Sequence, residues 1–124
     1  MNIEIIRSKI SRDYLNQLVK ENYGDMIKGV VDLGRQIIAL GGELHADAEE
    51  ILLEDGSRQE FLWGFNIFPS RPSAEKIEYV SMINVRPKQN NFTPTIRDLK
   101  LQEQIKNLIE KLVEGLWTET AGTN

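Results

Sequence analysis

The sequence contains no cysteine. Disulfides, thiolate catalysis and cysteine-ligated zinc or iron–sulfur centres are thereby excluded, and a reducing, cytoplasmic setting is expected. It also lacks a basic excess: 15 Lys and Arg stand against 19 Asp and Glu, for a formal net charge of −4. A phosphate-backbone partner calls for the opposite balance, and the basic residues form no cluster beyond pairs, so nucleic acid is disfavoured. Long apolar runs are missing as well. The longest are four residues, such as Ile37-Ile38-Ala39-Leu40, against the roughly 20 that span a bilayer, and no membrane partner is expected. The opening Met1-Asn2-Ile3-Glu4-Ile5-Ile6-Arg7 sets a carboxylate inside its short apolar run, unlike a signal peptide. Histidine occurs once, at position 45.

What is present is ordinary globular composition, 40% hydrophobic and 27% charged over 124 residues. A chain of this length buries roughly two-thirds of its unfolded surface, enough for one core without staples. The expectation is a single domain over 1–117 and a polar tail over 118–124.

Periodicity orders the elements. Asn2–Arg7 reads as a strand. Ser11 is placed to cap a helix, with Asp13 in its first turn, Tyr14, Leu15, Leu18 and Val19 as its apolar stripe and Gly24 at its close. Ile27–Leu33 and Gln36–Leu44 read either as one helix or as two strands. The β-branched pairs Val30-Val31 and Ile37-Ile38, with Gly29, Gly34, Gly41 and Gly42 between and after them, favour a hairpin joined at Gly34-Arg35. Asp47–Asp55 reads as a short helix closed by Gly56. Phe61–Phe68 and Ile77–Arg86 read as a second strand pair, stopped by Pro69 and Pro87. Asp98, or Thr95 with Asp98 three residues on, opens the last helix, whose core stripe is Leu101, Ile105, Leu108, Ile109, Leu112, Val113 and Leu116. The order β-α-ββ-α-ββ-α predicts an α+β, two-layer domain: an antiparallel sheet of four to five strands with three helices on one face.

The chemistry-bearing residues gather around Gly41–Ser57. On an extended chain Glu43, His45, Asp47 and Glu49 would share one face and could converge on a divalent metal. If Asp47 instead caps the helix, with Glu50 three residues on, only Glu43 and His45 alternate on the preceding strand. The capping reading is preferred, so no metal and no cofactor are expected, with His45, Asp47 and Glu49 as the alternative ligand set. Asn66 and Asn84 sit inside apolar strands, where buried amides need partners. With Gln59, Ser57, Arg86 and Trp63 they could line a polar pocket, or tie loops to the sheet. Arg86-Pro87-Lys88 with Arg97 could hold an anion at the start of the last helix, or simply be solvated. No Ser-His-Asp order, P-loop or dinucleotide fingerprint is present.

Taken together, Val30-Val31-Asp32, Gly42-Glu43-Leu44-His45-Ala46-Asp47-Ala48-Glu49, Asp55-Gly56-Ser57-Arg58-Gln59, Leu62-Trp63-Gly64-Phe65-Asn66 and Ile83-Asn84-Val85-Arg86-Pro87 resemble a family of small, uncharacterised prokaryotic proteins defined only as a domain of unknown function. The resemblance runs from about Lys28 to Pro87 and more loosely through the last helix. Where that family carries a Gly-Asn-Arg-Ser-Arg-like run after the Arg-Pro, this chain has Asn90-Asn91-Phe92-Thr93-Pro94. The resemblance implies no catalytic residue.

The reading these residues favour is a non-catalytic ligand- or partner-binding module with a polar cleft formed by Glu43, His45, Gln59, Trp63, Asn66, Asn84 and Arg86. A homodimer through a sheet edge or the Trp117 end is one form it could take. The alternative is a metal-assisted hydrolase centred on His45 and its carboxylates.

Overall fold

The computed structural model describes residues 1–117, so the polar tail expected over 118–124 lies outside the described residues. The strands are β1 (Ile3–Ile6), β2 (Ile27–Asp32), β3 (Ile37–Gly41), β4 (Leu62–Ile67) and β5 (Ile77–Glu78). The helices are α1 (Arg12–Glu21), α2 (His45–Glu54) and α3 (Leu99–Leu112). All five strands form one antiparallel sheet in the order β1-β3-β2-β4-β5, giving an α+β arrangement. No helix among the described residues is long and apolar enough to cross a membrane.

The ambiguous stretch is a hairpin. Val30 pairs with Ala39 and Val31 with Ile38, so each β-branched pair splits its side chains between the two faces. The turn is closed locally: Asp32 Oδ1 accepts from the backbone N–H groups of Gly34 and Arg35, both at 2.9 Å. Gln36 takes the left-handed conformation, with φ of 59°.

Alternation along these strands builds two cores where one was expected. Val31, Ile38, Leu40, Trp63, Phe65 and Ile67 face α1 and α3, and pack with Leu15, Leu18, Ile105, Leu108 and Ile109. Val30, Ile37, Ala39 and Leu62 face the other way and are covered by Ala48 and Leu52 of α2. Helices therefore lie on both faces of the sheet, not on one. The physical reason is that β3 and β4 carry apolar residues on both faces, Asn66 being the one polar side chain in the two strands, so neither face can be left to water.

The outer helices begin where local chemistry says they should. Ser11 accepts from the Tyr14 N–H at 3.0 Å, and Asp98 accepts from the N–H groups of Lys100 and Leu101 at 2.9 and 3.4 Å. Gly24 adopts φ of 89° and donates to the Val19 carbonyl at 2.9 Å, closing α1. After Leu112 the core stripe leaves helical geometry. Val113 forms a parallel bridge with Ile10, and Leu116 remains buried.

Two boundaries differ from expectation. Helix α2 starts at His45, not Asp47. Leu44 is its N-cap without a side-chain bond, while Asp47 lies exposed in the first turn. The expected strand Ile77–Arg86 pairs with β4 only at Ile77 and Glu78; Val80 and Arg86 make single bridges to Thr95 and Asn91, on either side of a short 3-10 turn, Met82–Asn84. Both differences arise from bonds to β4 made by residues distant in sequence.

Candidate functional site

His45 joins α2 to the sheet. Its Nε2 lies 2.9 Å from the Phe65 carbonyl oxygen and 2.9 Å from Asn66 Oδ1. Both are acceptors, so Nε2 carries the hydrogen and the neutral ring leaves Nδ1 bare. The Asn66 amide is oriented by its other end, where Nδ2 donates to Glu78 Oε1 at 3.3 Å. Glu78 Oε2 in turn accepts from Arg71 at 3.2 Å. Burial lowers the His45 pKa from its ordinary value of 6.5, and the Lys28 ammonium adds to that effect. The hydrogen bonds to Phe65 and Asn66 oppose it. Glu43 contributes its carbonyl, which accepts from Lys28 Nζ at 2.7 Å and Tyr23 Oη at 3.0 Å. His45 is thus a neutral strut between α2 and β4.

This geometry needs a glycine opposite the ring. A Cβ at Gly64 would stand 2.5 Å from Ser81 Cβ and 3.2 Å from His45 Cδ2. Without one, α2 and the segment after β5 both close onto β4.

Asn84 and Arg86 finish the free edge of β4 where β5 stops. Asn84 Oδ1 accepts from the Gly64 N–H at 2.8 Å, and its Nδ2 donates to the Gly64 carbonyl at 3.0 Å. The side-chain amide stands in for a neighbouring strand. Arg86 donates to the carbonyls of Ile83 at 3.0 Å and Gln59 at 2.7 Å, to Gln89 Oε1 at 3.1 Å, and to the Leu62 carbonyl. Its guanidinium also lies 4.4 Å from the Trp63 ring centre and 3.9 Å from Glu49 Oε2. Burial pulls the Arg86 pKa below its ordinary range, and Glu49 opposes that shift. These bonds leave the guanidinium committed to the protein.

The proposed metal ligands are dispersed. Asp47 is exposed, Glu49 turns toward Arg86 and Gln59, and the His45 ring faces the sheet. Among the described residues no three His, Asp or Glu side chains group closely enough to hold a metal ion.

A different place has the shape of a binding site. An open groove of about 840 Å³ runs between α3, the β2–β3 turn and the start of β4. Leu33, Phe61, Trp63, Leu101 and Leu108 form its apolar side, and its polar lining includes Lys100, Gln104, Asn107 and Lys111. The sheet divides the residues expected to share one cleft. Trp63 faces α3 and lines this groove, only 4% exposed, whereas His45 and Asn66 lie on the α2 side and line none of it. Gln59 donates to Glu49 Oε2 at 3.4 Å, outside the groove. Sequence reasoning did not single out Lys100, Gln104, Asn107 and Lys111. The signal that marks them is their spacing of 4, 3 and 4, which keeps polar side chains in line beside the apolar stripe.

Fold and groove together define a small α+β protein with an amphipathic surface channel. The chain belongs to the family described as protein of unknown function DUF5674, which matches residues 4–112. No curated protein and no solved structure matches it.

Proposed function

We propose that this protein is a non-catalytic binding module, and that its ligand or partner occupies the groove between α3 and the β2–β3 turn. The groove itself carries this reading: its volume lies within the range of ligand sites, and apolar and polar groups converge in it. The side chains around His45, by contrast, spend their hydrogen bonds on one another and on the backbone. The dispersal of His45, Asp47 and Glu49 weighs against a metal-assisted hydrolase. A cytoplasmic setting suits a chain without cysteine.

A crystallographic fragment soak tests the reading. Fragment density over Leu33, Phe61 and Leu101 is the expected result. Density concentrated beside His45 and Asn66, with the groove bare, would move the site to the opposite face.

A further inference from the structure

The polar lining of the groove divides sharply by what is already spent. Glu60 pairs with Arg58 at 3.1 Å, and Asp98 caps α3 through Oδ1. Gln36 donates to the Leu33 carbonyl at 2.7 Å and Gln89 to the Glu60 carbonyl at 3.0 Å. Lys100, Gln104, Asn107 and Lys111 remain. Their side chains make no hydrogen bond or ion pair among the described residues, and all four are exposed. The spacing of 4, 3 and 4 keeps them on one line along α3. At 1.5 Å per residue the two ammonium-bearing positions stand roughly 16 Å apart along the axis.

A site of this form suits an elongated ligand. A compact metabolite would meet one lysine and leave the other unused. A sugar would look for open aromatic faces on which to stack, but Trp63 is 4% exposed and carries the Arg86 guanidinium, which leaves Phe61 alone in the groove, packed along Gly34. A nucleic acid would need a denser cationic track than two lysines on a chain of net charge −4. A peptide matches each feature. Apolar side chains settle against Leu33, Phe61 and Leu101, the free amides of Gln104 and Asn107 bond its backbone or polar groups, and carboxylates meet the lysines at either end.

Resting on the groove as the binding site, we propose that its partner is a peptide segment of another protein, with apolar anchors flanked by acidic residues, lying along the Lys100–Lys111 line of α3.

The test is selection from a phage-displayed library of random peptides on the intact chain, in parallel with a Lys100→Glu/Lys111→Glu variant and a Lys9→Glu/Lys20→Glu variant. The second variant carries the same charge change on surfaces outside the groove. All four lysines are exposed, and circular dichroism checks that both variants keep the fold. Enriched sequences should carry acidic residues around apolar ones. Synthesised as free peptides, they should bind the first variant at least tenfold more weakly than the unaltered chain, and the second within about twofold of it. No enrichment, neutral or basic consensus sequences, or equal losses in both variants would overturn the proposal. Fragment density in the groove combined with any of those outcomes would sink the peptide while leaving the groove as the site. A bare groove would sink both.

Discussion

Asn84 holds Gly64 by both of its backbone groups, N–H at 2.8 Å and C=O at 3.0 Å, on the edge of β4 that β5 leaves unpaired. Both residues are buried, so neither backbone group has ready access to water. Replacing Asn84 with Ala strands a donor and an acceptor, each at a cost of about 1–3 kcal/mol. Asn84→Ala should therefore lower stability by about 2–4 kcal/mol in urea unfolding, allowing for partial relaxation. An effect below about 0.5 kcal/mol would mean that this edge is hydrated and the amide dispensable.

Gly64 should be intolerant of a side chain for a reason that can be separated from its backbone. Its conformation is ordinary strand, and the obstacle to a Cβ is Ser81, with His45 behind it. Gly64→Ala should cost about 1–3 kcal/mol through overpacking. Ser81→Gly, which removes the nearest atoms, should restore part of that loss in the double variant. Strictly additive effects of the two substitutions would show that the contact does not govern the site.

The His45 environment predicts a sign for the pH dependence of stability. Burial holds its native pKa below the ordinary 6.5, so between those two values the unfolded chain binds a proton that the native chain does not. This component is constant above about 6.5. Stability falls as pH drops below that value and levels off once the native pKa is passed, with a slope of at most about 1.4 kcal/mol per pH unit for one proton. His45→Gln should remove this component whatever it does to stability at neutral pH. Unfolding free energies between pH 5 and 8 for both chains check it, and a rise in wild-type stability on acidification through that window would contradict the sign.

Parts of this molecule governed by neighbours in sequence are legible in the sequence, and parts governed by the sheet are not. Ser11 and Asp98 announce their helices because each bonds an amide two or three residues ahead. The hairpin is legible in its β-branched pairs and glycines, and its turn is closed just as locally, by Asp32 bonding amides two and three residues ahead. The start of α2 does not, since His45 is drawn into the helix by acceptors on β4, 20 and 21 residues away. The Ile77–Arg86 stretch alternates like a strand, but Asn84 satisfies β4 with its side chain and ends the pairing. Asn66 and Asn84 were recognisable as buried amides in need of partners, and their partners are the fold itself. The groove was hidden because Leu33, Phe61 and Leu101 come together only when α3 docks beside the hairpin turn.

The most direct measurement of the central claim is amide chemical-shift mapping of the intact chain titrated with 8-anilinonaphthalene-1-sulfonate, an anionic apolar probe. Saturable shifts centred on Leu33, Phe61, Leu101, Leu108 and Lys111, at least tenfold weaker in the Lys100→Glu/Lys111→Glu variant, are the predicted result. Shifts that scatter over the surface, or that centre on His45 and Asn66, would contradict it.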